Sequence, residues 1–283
     1  MPGILACTDG SIYADSVYDH AAWAAQQLGG AVVQVLHVLD RATAETPADR
    51  SGTLGFDASE ELLRELAELD AARGRVAIRR ARVLLAAAEA RLKAAGVAEV
   101  VLTQRHGSLV ETVTEFEAGA DLIVIGKRGE AADFAIGHLG ANLERVVRAS
   151  ARPVLVASRA FRPIRRFLIA YDGGPAALKA VDFAARQAAL RGLECHLVTV
   201  APQGGAGAIL DQPAELLRRG GLTVTAQTLH GEPEQAIAAH VGAVEIDLLV
   251  MGAYGHSRIR TLLVGSTTTA MLRACRIPVL VFR

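Results

Sequence analysis

The chain states one pattern twice, and that repetition constrains its fold more than any single motif. Ile4-Leu-Ala-Cys-Thr-Asp-Gly-Ser11 returns as Phe167-Leu-Ile-Ala-Tyr-Asp-Gly-Gly174, each an apolar run ending in Asp-Gly. Helical stretches follow at 14–28 and at 175–191, the second with proline in its first turn. Apolar, β-branched runs come next at 31–39 and 194–200. The segment 97–104 with His106-Gly-Ser-Leu109 corresponds to 222–229 with His230-Gly-Glu-Pro233. Asp121-Leu-Ile-Val-Ile-Gly-Lys-Arg-Gly129 corresponds to Asp247-Leu-Leu-Val-Met-Gly-Ala-Tyr-Gly255. Last, Arg152-Pro-Val-Leu-Val-Ala157 corresponds to Ile277-Pro-Val-Leu-Val-Phe282. Landmarks repeated in one order define two units, 1–160 and 161–283.

In both units strands alternate with helices, and the strands are continuously apolar rather than alternating. That predicts an α/β fold, a doubly wound five-stranded parallel sheet in each unit, covered on both faces. With strand order 3-2-1-4-5, strands one and four flank the point where the winding reverses, where such sheets hold ligands. The Asp-Gly loop and the Gly-x2-Gly loop fall there. The abundant alanine and scarce aromatics (4% of residues) fit helices packed through small side chains. The final strands, 153–157 and 278–282, are candidate edges for pairing the units with each other.

Only one region lacks a counterpart. About residues 41–81 form an insertion: a polar stretch, 41–57, then a helical one from Ala58 that reaches toward Ala95. Asp57 and Glu60 have capping-box spacing, Gly74 is a weak point, and Leu62, Leu66 and Leu69 share a helical face. The simplest expectation is a surface helix packed on its own unit. The alternative is a lid or a contact surface for another subunit.

Several function classes drop out on composition. Lys plus Arg is 30 and Asp plus Glu is 30, and no basic cluster is interleaved with aromatics, which argues against nucleic-acid binding. The charges divide as 17 basic and 21 acidic in residues 1–160, leaving 13 and 9 in residues 161–283. No apolar run is long enough to span a bilayer, and the opening residues lack a basic leader, so the expectation is a cytoplasmic protein. Cys7, Cys195 and Cys275 are odd in number and far apart, as reduced core residues would be.

The chemistry concentrates at the second Gly-x2-Gly loop. Gly252 and Gly255 are separated by two residues, Gly255 and Gly265 by nine, and Ser266 and Thr267 follow at once. Glycines let the backbone approach a ligand, and a hydroxyl-rich helix start offers N–H and O–H donors to a phosphate. Arg258 and Arg260 add positive charge. The same glycines would also serve a tight turn, and the same hydroxyls a helix cap. Asp9 and Asp172 could each cap the following helix, and Asp172 could equally accept a hydrogen bond from a ribose. His106 and His230 read as turn residues. His256, inside the loop, is placed to touch a phosphate. No Gly-x4-Gly-Lys-Ser/Thr and no Gly-x-Ser-x-Gly stretch occurs. Apart from Asp172 or His256 the motif contains no evident base. Binding is therefore expected, with slow hydrolysis at most; the alternative is an interaction module whose nucleotide site is vestigial.

The sequence resembles the universal stress protein family in its tandem two-domain form, over nearly its whole length except about 41–81. The family's nucleotide-binding members carry Gly-x2-Gly-x9-Gly-Ser/Thr, which residues 252–266 match without a gap. The resemblance implies the adenine nucleotide α-hydrolase-like fold and ATP in the second domain. It implies Asp172 near the adenosine and main-chain groups around Val200 near the adenine edge. Gly252, Gly255, His256 and Ser257 would line the phosphate loop, and Gly265, Ser266 and Thr267 would contact phosphates. A divalent cation, Mg or Mn, would accompany them. It also implies an intramolecular pseudo-dimer, with homodimerisation left open, and a regulatory role in stress. The first domain departs from the pattern. Gly126-Lys-Arg-Gly129 is followed by ten residues and then Gly140-Ala141, so the spacing is longer by one and the hydroxyl is missing. A structural first domain is the expectation there, with Lys127 and Arg128 as charges that could compensate.

Overall fold

The computed structural model describes residues 3–39, 56–128, 140–187, 190–201, 207–253 and 266–283. Within them the first half of the chain contributes β1 (Gly3–Thr8), α1 (Ala14–Gln27), β2 (Val32–Leu39), α2 (Phe56–Ala94) and β3 (Val100–His106). It continues with α3 (Leu109–Phe116), β4 (Leu122–Gly126), α4 (Ala141–Ala149) and β5 (Val154–Ala157). The second half contributes β6 (Arg166–Ala170), α5 (Pro175–Arg186), β7 (Glu194–Val200), α6 (Asp211–Arg219) and β8 (Thr223–Leu229). It ends with α7 (Pro233–Ala243), β9 (Leu248–Gly252), α8 (Ser266–Ala274) and β10 (Val279–Phe282).

The strands form one ten-stranded sheet in the order β3-β2-β1-β4-β5-β10-β9-β6-β7-β8. Each half has the expected order 3-2-1-4-5, with all its internal pairs parallel. The halves join where β5 and β10 pair antiparallel, Leu155 opposite Leu280. These are the two Pro-Val-Leu-Val strands. Val154, Leu155, Val156, Val279, Leu280 and Val281 are all buried. A short strand with no polar side chain cannot stand at an open edge, and mutual pairing removes both edges at once.

Helices cover both faces, which is why alternate residues of one strand enter different cores. Ile4 and Ala6 face the layer of α1, α2 and α5, whereas Leu5 and Cys7 face the layer that contains residues of α4 and α8. Small side chains let the helices sit close to the sheet. Ala21, Ala22, Ala24 and Ala25 of α1 are buried, as are Ala176, Ala177, Ala180 and Ala184 of α5. The three cysteines are free and buried. Burial pushes the Cys7 and Cys195 thiols up to about 12, Asp9 adding to the effect at Cys7. That suppresses the reactive thiolate at both.

Two helices depart from expectation. Helix α5 ends at Arg186, five residues early, because Gln187 turns out of the helix at φ −81° and ψ 99°. Helix α2 is one unbroken helix of 39 residues that runs through Gly74. Its described span begins at Phe56, which places Asp57 within its first turn. The fully buried positions of the helix are Ala81, Leu85, Ala88 and Leu92, and Ala77 and Ile78 just upstream are half-buried. Of the three leucines expected on one face, Leu62 and Leu69 are exposed and Leu66 is half-buried.

Candidate functional site

In the second half the chain winds from β6 outward through β7 and β8, then crosses back to β9 beside β6. The reversal lies between β6 and β9, and the carboxyl ends of β7, β6 and β9 stand side by side there. Asp172, Val200 and Gly252 occupy those three ends. Gly255, His256, Ser257 and Gly265 lie outside the described residues. Ser266 and Thr267 form the first turn of α8, and their side chains also lie outside the description.

Each described position has a local cause. Asp172 follows β6 and turns the chain into α5: its Oδ1 accepts from the Gly174 amide at 2.8 Å, and Gly173 takes a positive φ of 79°. The Asx turn satisfies part of the carboxylate, which stays exposed. Burial, and the neighbouring Asp172 charge, push the Tyr171 phenol up. Asp9 does the same work in the first half, where its Oδ1 accepts from the Ser11 amide at 2.9 Å and Gly10 has φ 73°.

Val200 ends β7 with main-chain groups left over. Residues along a strand alternate the side to which they offer N–H and C=O. Val198 accepts from the Tyr171 amide at 2.8 Å, so Val198 and Val200 face β6, while the Ala201 amide donates to Leu229 on the β8 side. The β6–β7 ladder ends at the Ala170–Val198 pair. Val200 therefore presents its amide and carbonyl to the gap that opens as β6 turns away. His230 bonds through Nδ1 to the Ala201 carbonyl at 3.0 Å, tying the end of β8 to the end of β7. It is a turn residue, as its place in the repeat implied, but one that braces the neighbouring strand end.

Gly252 has a packing duty. A Cβ there would come within 2.9 Å of the Ala177 amide nitrogen and 3.0 Å of Ala176 Cβ, in the first turn of α5. The glycine lets β9 leave the sheet directly against that helix start. Its first-half counterpart, Gly126, would meet Tyr13 Cβ at 2.9 Å in the same way. The spacing alone does not carry this signal, because it depends on a helix 76 residues earlier in the chain.

Sequence reasoning missed the employment of Lys127. Its ammonium donates to the carbonyl of Cys275, just beyond α8. Burial lowers its pKa, the Cys275 charge opposing that and Arg128 adding to it. The expected compensating charge for a first-half phosphate is thus directed to the end of a second-half helix. Among the described residues no group of three His, Cys, Asp or Glu is arranged to hold a metal ion. Nor is any described helix long and apolar enough to cross a membrane.

A doubly wound repeat with an Asp-Gly turn and a free strand end at its switch point defines a class of α/β proteins. The universal stress protein family model matches residues 2–158, 163–217 and 204–283. The universal stress protein Slr1230 of Synechocystis sp. is 41% identical over 290 residues, covering 100% of both chains. The chain belongs to the universal stress protein family. Among solved structures, a universal stress protein from Archaeoglobus fulgidus DSM 4304 superposes with a TM-score of 0.73 at 23% identity, over 99% of this chain and 97% of that one. A functionally unknown protein from Pseudomonas aeruginosa PAO1 gives 0.58 at 19% identity, over 99% and 92%. At those identities the two structures speak to the fold alone.

Proposed function

We propose that the second half, residues 161–283, binds an adenine nucleotide, ATP, and that its occupancy serves a regulatory role in the stress response. One observation carries the reading. Strand β9 ends at Gly252 and helix α8 begins at Ser266, so Gly252-x2-Gly255-x9-Gly265-Ser266 runs from strand end to helix start at the switch point. Backbone amides of that crossover and the start of α8 would take the phosphates. Asp172 keeps an exposed carboxylate for the ribose, and the outward amide and carbonyl of Val200 suit an adenine edge. His256 and Ser257 belong to the phosphate loop in this reading, and Thr267 joins Ser266 at the helix start. A divalent cation, Mg or Mn, would be held chiefly by the phosphates themselves. Family membership supports the stress-response role. The first half, with Ala141 where the second has Ser266, is assigned a structural part.

Calorimetric titration with ATP tests this. Hydrogen bonds to charged groups are worth about 1.5–3 kcal/mol, so Ser266→Ala with Thr267→Ala should weaken ATP at least tenfold. Asp172→Ala should weaken ATP more than adenine alone. Gly252→Val is a poor probe because its side chain would strike α5 whether or not phosphate binds. A flat titration of the wild type, or equal affinity in the Ser266/Thr267 variant, would overturn the proposal.

A further inference from the structure

Helix α2 carries a second surface that the nucleotide reading does not use. Over residues 62–83 an apolar residue recurs every seventh position, and each is exposed: Leu62 (42%), Leu69 (47%), Val76 (56%) and Val83 (70%). At 100° per residue a seven-residue step drifts only about 20°, so the four form one stripe. Val83 lies about 190° around the helix from the mean direction of Ala81, Leu85, Ala88 and Leu92, which pack inward. With the drift, Val76, Leu69 and Leu62 lie about 210°, 230° and 250° from that direction, so the stripe starts on the far side at Val83 and winds to the flank at Leu62. At 1.5 Å per residue it is about 30 Å long.

Charge along the helix identifies what fits it. Residues 62–70 hold Glu65, Glu68 and Asp70 against Arg64 alone. Residues 71–83 hold Arg73, Arg75, Arg79, Arg80 and Arg82 and no acid. Asp70 and Arg73 pair at 3.7 Å where the acidic and basic ends meet, and Arg80 also has a partner, so the basic end rests on Arg75, Arg79 and Arg82. Alongside a parallel copy, acid would meet acid and arginine would meet arginine. Alongside an antiparallel copy, the acidic end of each helix lies on the basic end of the other, and the helix dipoles oppose. The same antiparallel register sets Leu62 beside Val83 and Leu69 beside Val76, with Ala72 near the crossing. One register thus satisfies the apolar spacing and the charge together. The fully buried positions of α2 begin at Ala81, toward its C-terminal end, so in the antiparallel pair the two bodies lie at opposite ends.

We propose that residues 62–83 of α2 pair antiparallel, helix against helix, with the same segment of a second copy of this chain. The partner is the same protein because the surface is complementary to itself. The symmetric halves use their Pro-Val-Leu-Val strands on each other within one chain, so the inserted helix is the element left for joining two chains.

Sedimentation equilibrium of the full chain should give twice the 29.7 kDa chain mass. Leu69→Glu with Val76→Glu, both at exposed positions, should return the single-chain mass with an unchanged far-UV spectrum. Raising salt should weaken the wild-type dimer by screening the paired charges. For orientation, Leu62→Cys and Val83→Cys proteins should cross-link when mixed and neither should cross-link alone; the native cysteines are buried. A single-chain mass for the wild type would overturn the proposal, and would mean that another segment or a foreign partner covers the stripe. A dimer that survives Leu69→Glu with Val76→Glu, or disulfides between identical positions, would also overturn it.

Discussion

The first and second halves share a strand order, an Asp-Gly turn of the same geometry and a nine-residue helix after the Gly-x2-Gly crossover. They differ at the first residue of that helix. Helix α4 starts with Ala141 behind Gly140, and its N-cap makes no side-chain hydrogen bond. Helix α8 starts with Ser266 and Thr267. They differ again in what the loop after strand four does: Lys127 reaches across to the end of α8. The comparison teaches that a repeated framework can be kept by packing while one copy's polar groups are turned to structural use. Gly126 and Gly252 bear this out, since both are needed for close approach, whatever either half binds.

The largest effect should come from the seam that both halves share. Leu155 and Leu280 are buried opposite each other in the β5–β10 pair. Leu155→Ala or Leu280→Ala should each cost about 2–5 kcal/mol in denaturant unfolding. The double variant should cost less or more than the sum, because the residues are in contact. Strict additivity would break the view that the seam is one core.

Next are the two crossover glycines. Gly252→Ala should cost about 1–3 kcal/mol by overpacking against α5, and Gly126→Ala a similar amount against Tyr13. Near-equal losses in melting experiments would sharpen the comparison, showing that glycine is retained in both halves for packing. A loss at Gly252 alone would break it.

A pH profile probes a lowered histidine in each half. His20 of α1 is buried, its ring edge-on to Phe161 with centroids 5.0 Å apart. Its Nδ1 lies 2.6 Å from the Ser16 carbonyl, which requires the Nδ1–H tautomer, and Nε2 is buried without a hydrogen-bond partner among the described residues. Burial lowers its pKa, against smaller opposing effects of Ser16 and Asp19. Below about pH 6.5, the ordinary histidine value, the unfolded chain takes up the proton first. Stability should therefore fall as pH drops through that range and be fully present above it. His20→Leu should flatten the His20 share of this slope. His240 adds a parallel contribution in the second half, lowered by burial and by His196.

Much of the architecture was legible because buried parallel strands are written as unbroken apolar runs, and writing them twice fixed their order. Asp172, Val200 and Gly252 were legible as strand ends for the same reason. The end of α5 was not: Ala188-Ala-Leu190 continues the helical composition, and no local stop distinguishes Gln187. What covers the upstream part of α2 was left open, because a periodic apolar stripe says that a face wants covering, not which body covers it. Lys127 was misjudged for a related reason. A lysine between two glycines of a phosphate-like motif invites a phosphate reading, and only the fold reveals a carbonyl 148 residues away.

The smallest expected effect concerns that same lysine and its opposite number. Lys127 donates to Cys275 at the end of α8, and Arg283 donates to Arg148 and Ala149 at the end of α4. Each half thus supplies a cation to the negative end of the other half's last helix. A cation there is worth about 0.3–1 kcal/mol. Lys127→Met and Arg283→Met should each lose that much in urea unfolding. Lys127→Arg should lose less than Lys127→Met, since it keeps the charge. The two caps belong to different helices, so the double variant should equal the sum within about 0.3–0.5 kcal/mol. If Lys127→Met also weakens ATP while Arg283→Met does not, the first half acts on the proposed site by holding α8. If neither changes ATP affinity, the exchanged caps serve only to hold the halves together.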